Sequence, residues 1–524
     1  MGVVQGRRAG PAGYARRIMS QLAAAPDRPA VHWRGGAVSA GEFAAAVTGA
    51  ARTLRGLGVG GGSIVAILVA PNSPDMLIAR YAAHLLGAAV CHLRSANPGS
   101  AVPVLSPDAQ LRILRDSSAD VLFTDAGNAG RARALSGRVE RRLLVTGFGA
   151  GALGCVPADP EPADAVDLDA LTPADPRALA AIVFTSGSTG RPKGIRLSMR
   201  AWDSAVEATA ASVSEPDPRI LVVTPLSHTA GPMADAVLSV GGTVFLHEEF
   251  DPARALRAVA EHGITRTFMA TAHLYRAVDH ARAEPADLSC LRQLIYSGSA
   301  AAPARIEEAV RVFGPVLVQG YGTTEAGRIT MLDPGGHQDP YLRSTVGRPF
   351  PETEVKVCDP RSGDELAVGR IGEVWAHSPH VMDGYLADPA LTAGTLRDGW
   401  CRTGDIGHLD ERGCLHLLDR VADMVKTAGV KVYPAVVERE IAALPGVAHV
   451  AVYGVRDADH VEHVHAAIVP ETGARISPDA VRAHISTVFT TTHAPEEIRF
   501  LEELPLNESG KPDKRRLRLL GSPG

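Results

Sequence analysis

Residues 184–195 read FTSGSTGRPKGI, directly after the apolar run ALAAIVF. Four hydroxyls (Thr185, Ser186, Ser188, Thr189), three glycines (Gly187, Gly190, Gly194) and one ammonium (Lys193) make up eight of its twelve positions. Consecutive backbone N–H groups, hydroxyls and a cation all suit phosphate oxygens, so a nucleotide polyphosphate is the expected guest. The segment is not a Walker A loop: Pro192 precedes Lys193 and Gly194 follows it, leaving no hydroxyl at the usual magnesium position. Taken alone, the same letters also describe a flexible solvent loop. Two further stretches carry chemistry. In QGYGTTEAG (319–327) the ring of Tyr321 is followed by Thr324 and Glu325, a set suited to a nucleotide and its metal and equally to a strand end with a helix cap. In WCRTGDIG (400–407) Asp405 offers two acceptor oxygens that match a vicinal diol, or a turn.

The elements that must position these residues show an alternating rhythm. Apolar runs bounded by Gly and Pro (SIVAILV, ILVVTPL, TRTFMA, QLIYSGS) alternate with helix-period stretches, which predicts parallel strands with crossover helices. Residues 153–176 are rich in Pro, Asp and Ala without periodicity and read as a linker. From Gly347 onward, runs such as TEVKVCD and GEVWAHS predict a smaller, mainly β subdomain, and the last hundred residues restart an α+β pattern. The expected fold class is therefore α/β. A large N-terminal domain of several subdomains (1–418), with mainly parallel sheets and a small β subdomain, precedes a small α+β C-terminal domain (419–524). No internal repeat is visible.

A chain of 524 residues, 45% hydrophobic, is too long for one core and has ample apolar content for several. With 21% charged residues and a net charge of -5, it has no basic stripe for nucleic acid and no acidic tail. The six cysteines are scattered without a C-x-x-C pair, which argues against a zinc site or disulfide framework and fits a reducing cytoplasm. No signal-peptide core and no membrane-length apolar run is present, and Gly6 stands where a myristoylation signal needs Ser or Thr. The expectation is a soluble cytoplasmic protein, monomeric or homodimeric, without nucleic-acid or membrane partners.

The phosphate-type loop, QGYGTTEAG, WCRTGDIG, DRVADMVKTAGVK (419–431) and LPLNESGK (504–511) occur in the order of the signature blocks of the adenylate-forming superfamily. From about residue 28 to 518 the chain resembles that superfamily's acyl-CoA synthetase and 4-coumarate:CoA ligase-like branch. The resemblance implies attack of a carboxylate on the α-phosphate of ATP, release of pyrophosphate, and displacement of AMP by a thiol. It implies that Thr185, Ser186, Gly187, Ser188, Thr189, Gly190 and Lys193 hold the β- and γ-phosphates. Tyr321 would pack on adenine, Thr324 would meet the α-phosphate, and Glu325 would bind Mg2+. Ser299, Ala300 and Ala301, in SGSAAAP (297–303), would approach the base, Asp405 would bind the ribose hydroxyls, and Arg420 would touch ribose or phosphate. Lys511 would bridge the acid carboxylate and the α-phosphate, which otherwise repel; its competing reading is a basic tail with Lys514, Arg515, Arg516 and Arg518. His228, in TPLSHTAG, aligns with a gate beside the acid and also reads as a structural histidine. Lys426 and Gly429 would lie near the CoA pantetheine.

The family's C-terminal domain rotates between half-reactions about a pivot that usually carries Asp or Lys two residues beyond the arginine matched by Arg420; here that position is Ala422. Adenylation is therefore expected intact, with transfer to CoA, to a carrier protein, or by a separate enzyme left open. The segments expected around the acid are rich in Ala, Gly, Ser and Met, which predicts a bulky apolar acid such as a fatty, polycyclic or terpenoid one. Asp235 is the residue that would instead pair with an amino-acid substrate. The histidines of HVEHVH (460–465) are expected at the surface.

Overall fold

The computed structural model describes residues 13–93, 105–149, 156–157, 174–185, 193–299, 301–420, 423–427, 430–457, 461–506 and 512–521. The predicted rhythm forms two large sheets. The eight-stranded sheet runs, edge to edge, through Gly384–Tyr385, Lys193–Ser198, Leu179–Thr185, Ala89–His92, Ile64–Leu68, Val121–Asp125, Leu144–Phe148 and Val156–Pro157. The nine-stranded sheet contains the parallel set Gln293–Ser297, Arg266–Ala270, Arg219–Val222, Thr243–Leu246 and Pro29–Trp33. Leu317–Thr323 adds in parallel to that set, and Gly327–Leu332 turns back antiparallel. Short β-branched runs buried on both faces supply these strands.

Helix starts are written locally. Ser39 forms a reciprocal capping box with Glu42, and Ser106, Ser198 and Asp251 accept from backbone N–H groups of their own first turns. Proline opens the helices at Pro74, Pro107, Pro252 and Pro303, where its missing N–H is harmless. The helix Pro74–Leu85 is buried along almost its whole length. One hydrophobic core runs from Val65, Val90 and Val183 in the first sheet to Val31, Val222 and Val244 in the second, and Leu77 and Tyr81 of this helix belong to it. The two sheets are thereby fused through shared apolar burial, the dominant favourable contribution to folding.

The expected β subdomain is an antiparallel sheet of Glu354–Cys358, Gly372–His377, Trp400–Leu409 and Leu396–Arg397, with Leu415–Arg420 paired to Trp400–Leu409. The C-terminal portion has its own sheet, Val447–Arg456, Glu462–Pro470 and Glu497–Phe500, and its own core around Val437, Ile441, Val452 and Ile468. Two readings change. Val156–Pro157, inside the expected linker, extends the eight-stranded sheet as an edge strand, while residues 158–173 lie outside the described residues. His460 lies outside the described residues, while His463 and His465 belong to a strand: His463 is ion-paired to Asp457 and Glu496, and His465, only partly exposed, has Nδ1 3.3 Å from a Glu497 oxygen. The two histidines share one face of that strand, and the neighbouring strand Glu497–Phe500 begins at the residue opposite His465, which leaves His465 the more covered of the two.

Candidate active site

Parallel strands deliver their loops to one edge of a sheet, and ligands of open α/β sheets bind outside the carboxyl ends of the strands. Here Arg219–Val222 leads to His228, Arg266–Ala270 to Thr271, Gln293–Ser297 to Ser299, and Leu317–Thr323 carries Tyr321 and ends at Thr324 and Glu325. Residues far apart in sequence therefore share one rim. In the loop after Ser297, Gly298 takes φ +103°, a left-handed conformation open to glycine. Thr271 Oγ1 donates to the carbonyls of Ser297 (3.3 Å) and Ser299 (3.1 Å), and Ala302 N–H donates to Tyr275 Oη at 2.7 Å. The stretch expected at adenine is thus held by its backbone, with Ala301 partly buried and Ala300 outside the described residues.

Thr185 and Lys193 are the last cross-strand pair of the antiparallel hairpin Leu179–Thr185 and Lys193–Ser198, so the loop leaves and re-enters the sheet at these two residues. Ser186, Gly187, Ser188, Thr189 and Gly190 lie outside the described residues. On the outer side Gly384–Tyr385 pairs with Arg196 and Ile195, and Leu386 N–H donates to Gly194 O at 2.7 Å. A side chain at Gly194 would meet Leu386 Cβ at 3.0 Å, so glycine permits this close approach. The pairing sets Tyr385 between two expected site residues. Its ring lies 5.7 Å from Lys193 Nζ, and its hydroxyl donates to Glu325 Oε1 at 2.9 Å. Burial, and then the Glu325 carboxylate, push the Tyr385 phenol well above its ordinary range, so it remains a donor. Tyr385 was not visible in the sequence reading. Sixty positions separate it from Glu325, and only strand register joins them.

Asp405 and Arg420 face each other across the pair Trp400–Leu409 and Leu415–Arg420. Arg420 Nε lies 2.9 Å from Asp405 Oδ1, and Tyr321 Oη donates to Asp405 Oδ2 at 2.6 Å. The carboxylate of Asp405 raises the guanidinium's affinity for its proton. Burial first, and then Asp405, raise the Tyr321 phenol. Asp405 itself is fixed by its neighbours: its N–H donates to Thr403 Oγ1 (3.0 Å), and Thr403 Oγ1 donates to Val374 O (2.7 Å). On the same strand Arg402 forms an ion pair of 2.7 Å with buried Glu373. Tyr321, Asp405 and Arg420 form one hydrogen-bonded unit, with the Arg420 side chain 56% exposed and Asp405 9% exposed, so the guanidinium is accessible to a ligand.

His228 is partly buried, its Nδ1 2.9 Å from Ser227 Oγ, and burial lowers its pKa, which favours the neutral imidazole. Lys511, Ala422 and Gly429 lie outside the described residues. The flanks of Lys511 are defined: Leu506 and Pro512 form an antiparallel bridge, and Asp513 N–H donates to Pro505 O at 2.7 Å. Lys514 Nζ pairs with Glu438 at 2.9 Å, which removes it from a free basic tail. Lys426 lies in the hairpin Val425–Thr427 and Val430–Val432, in register with Lys431.

The expectation that Asp235 could meet a substrate amine is overturned. Asp235 is fully buried in an ion pair of 2.5 Å with Arg80, accepts from Tyr81 Oη (2.6 Å) and Trp202 Nε1 (3.0 Å), and so is already satisfied. Burial works against the charge on Arg80, but Asp235 outweighs it and the guanidinium holds its proton more tightly than usual. Among the described residues no group of three or more His, Cys, Asp or Glu is arranged to hold a metal ion, and no helix is long and apolar enough to cross a membrane.

Comparison with known proteins fits this geometry. The AMP-binding enzyme profile matches residues 19–386, and the AMP-binding enzyme C-terminal domain profile matches residues 436–511. A feruloyl-CoA synthase of Amycolatopsis sp. is 37% identical over 495 residues, covering 93% of this chain and 94% of the relative. The 3-[(3aS,4S,7aS)-7a-methyl-1,5-dioxo-octahydro-1H-inden-4-yl]propanoyl:CoA ligase of Mycobacterium tuberculosis is 34% identical, covering 96% of this chain and 97% of the relative. The solved structure of the amide bond synthetase McbA from Marinactinospora thermotolerans superposes with a TM-score of 0.87 at 34% identity, covering 97% of this chain and 99% of that one. The chain belongs to the AMP-binding enzyme family, in the acyl-CoA synthetase-like branch of the adenylate-forming superfamily, and is an AMP-forming acid–thiol ligase.

Proposed function

We propose that this chain activates a bulky apolar carboxylic acid, fatty, polycyclic or terpenoid, to its acyl adenylate and passes the acyl group to CoA. The observation that carries the reading is that Tyr385, beside Lys193, reaches Glu325, and Asp405, paired with Arg420, reaches Tyr321, so that residues of three sheets meet around the end of Leu317–Thr323. Thr185 and Lys193, with the loop between them, take the departing β- and γ-phosphates. Thr324 meets the α-phosphate. Glu325, oriented by Tyr385, supplies one carboxylate to Mg2+, an ion usually held by one or two carboxylates plus substrate phosphates; bound there, it would neutralise charge on the phosphates. Tyr321 and the Ser299–Ala301 stretch receive adenine, and Asp405 and Arg420 the ribose. His228, neutral and tethered through Nδ1 to Ser227, presents Nε2 to the acid. Lys511 bridges the acid carboxylate to the α-phosphate.

Residues 1–418 serve as the adenylation domain and 419–524 as the mobile catalytic domain, with Lys426 and Gly429 beside the pantetheine arm. The methyl-dioxo-octahydroindenyl propanoyl group in the name of one relative and the medium and long fatty chains in that of another support a polycyclic or fatty acid, whereas the feruloyl group of a third is an aryl acid. A second reading, that the adenylate goes to a carrier protein or another acceptor, is favoured by Ala422 and by the likeness to an amide bond synthetase. The test is mass spectrometry with ATP, Mg2+ and a panel of fatty, aryl, terpenoid and amino acids, with and without CoA, following acyl-AMP and acyl-CoA. Accumulation of acyl-CoA from a large apolar acid supports the first reading. Acyl-AMP without acyl-CoA supports the second, and better turnover of acetate or benzoate than of every large acid sinks the substrate assignment.

A further inference from the structure

The turn that carries His228 is built from two consecutive backbone bonds, His228 N–H to Pro225 O (3.1 Å) and Gly231 N–H to His228 O (2.9 Å). Two side chains from a different sheet's connection grip it. Asn72 follows the strand Ile64–Leu68 of the eight-stranded sheet, is fully buried, and takes φ +46°, a left-handed conformation that asparagine tolerates better than most residues. Its Nδ2 donates to Thr224 O and His247 O, both at 3.0 Å, and its Oδ1 accepts from Leu226 N–H at 3.0 Å. Eight residues on, Arg80 donates from Nη1 to Leu226 O at 3.1 Å while its Nη2 pairs with Asp235, on the helix Ala230–Ser239 that leaves the turn. Both backbone polar groups of Leu226, two residues before His228, are thus held by side chains. A Cβ at Gly231 would stand 2.3 Å from Leu226 O and 3.1 Å from Arg80 Nη1, so only glycine lets the helix start this close to the clamp.

We propose that Asn72 is a positioning residue for adenylation. It fixes Thr224, Leu226 and His247 together, and through the Leu226 turn sets where the His228 imidazole stands relative to the acid. The inference rests on the reading of His228 as the acid-facing residue. All three hydrogen bonds of the Asn72 side chain go to backbone at the carboxyl ends of Arg219–Val222 and Thr243–Leu246 or in the His228 turn, so its amide ties the end of one large sheet to the rim of the other.

The test uses the full chain with ferulate and decanoate as probe acids in ATP–pyrophosphate exchange. Asn72→Gly keeps the left-handed backbone without strain and removes the clamp. The expected result is a fall in exchange rate on the order of tenfold, since small misplacements at a reacting centre weigh heavily, with KM for ATP within about twofold. In a His228→Ala background the same change should have no further effect, because residues that act through one another are not additive. Equal losses in both backgrounds would mean that Asn72 only holds the fold, and the proposal falls. If His228→Ala leaves exchange unchanged, the His228 reading fails by itself. The clamp is then decided by NMR titration of 13C-labelled histidine in the full chain: in Asn72→Gly the His228 signal should move and its pKa should rise toward the ordinary value. An unmoved His228 signal overturns the clamp. Should Asn72→Gly not fold, Asn72→Asp keeps the acceptor for Leu226 N–H, removes only the two donated bonds, and is read in the same way.

Discussion

Two arginine–aspartate pairs in this chain do opposite work. Arg80 and Asp235 are both 0% exposed and join two helices of the N-terminal core, with Arg80 also donating to Leu226 O and Asp235 also accepting from Tyr81 and Trp202. Arg420 and Asp405 meet at a comparable distance, but Arg420 is 56% exposed, at the strand end that leads into the C-terminal portion. A buried pair is locked, because parting it leaves a charge without solvent or partner. A half-exposed pair can exchange its partner for a ligand at little loss, since water compensates. Residue type is the same in both pairs, and solvent access separates a sealed pair from one open to a ligand.

The comparison can be broken by substitution. Asp235→Ala strands Arg80 and should destabilise the chain by about 3–5 kcal/mol in urea unfolding; a change below about 1 kcal/mol would mean that the pair is not locked. Lys511→Ala, between the bridged residues Leu506 and Pro512, should lower adenylate formation by roughly 10²–10³-fold while ATP affinity stays within a few fold, the loss expected for the proposed charge stabilisation at the reacting centre. Unchanged turnover in a single-turnover assay would refute its role. Asp405→Ala should change unfolding free energy by less than about 1 kcal/mol yet weaken ATP binding on the order of tenfold or more, through lost hydrogen bonds to the charged carboxylate; equal ATP titration curves would place the ribose elsewhere.

Acid sharpens the contrast further. His84 is buried with Tyr14 Oη against Nδ1 (2.6 Å) and Ala180 O against Nε2 (2.9 Å), and burial pushes its pKa down to about 3. Its folded pKa lies below the unfolded value, so the folded state binds fewer protons between those two values and stability falls as pH drops from about 6.5 toward 3. His84→Gln should remove up to about 1.4 kcal/mol per pH unit of that decline, read by urea unfolding at pH 7 and pH 5; an unchanged pH slope would contradict the burial argument. The smallest effect is expected for Tyr385→Phe, which removes one hydrogen bond to Glu325. A rise of about two- to tenfold in the Mg2+ requirement of adenylation corresponds to one such bond, and an unchanged Mg2+ titration would show that Glu325 needs no support.

The clustering of chemistry in ordered blocks was legible because each block is local: a Gly-rich turn, a ring followed by a hydroxyl and a carboxylate, an aspartate in a turn. Strand and helix alternation was legible for the same reason, since side-chain periodicity and proline or serine at helix starts are properties of neighbouring residues. Asp235 was misread because its partner Arg80 is 155 positions away, and a lone carboxylate in an apolar run looks unsatisfied until that partner is seen. Tyr385 and Asn72 carried no local signal at all.

The sequence by itself determined the α/β rhythm and the family to which the chain belongs, and it marked the candidates for phosphate, ribose and carboxylate chemistry. Only the tertiary structure decided which charges are sealed and which are open to a ligand, which hydroxyl orients Glu325, and what grips the turn of His228. Those depend on strand register and on helix-to-sheet contact between distant segments, and burial, which sets the strength of every charge, exists only once the chain has packed.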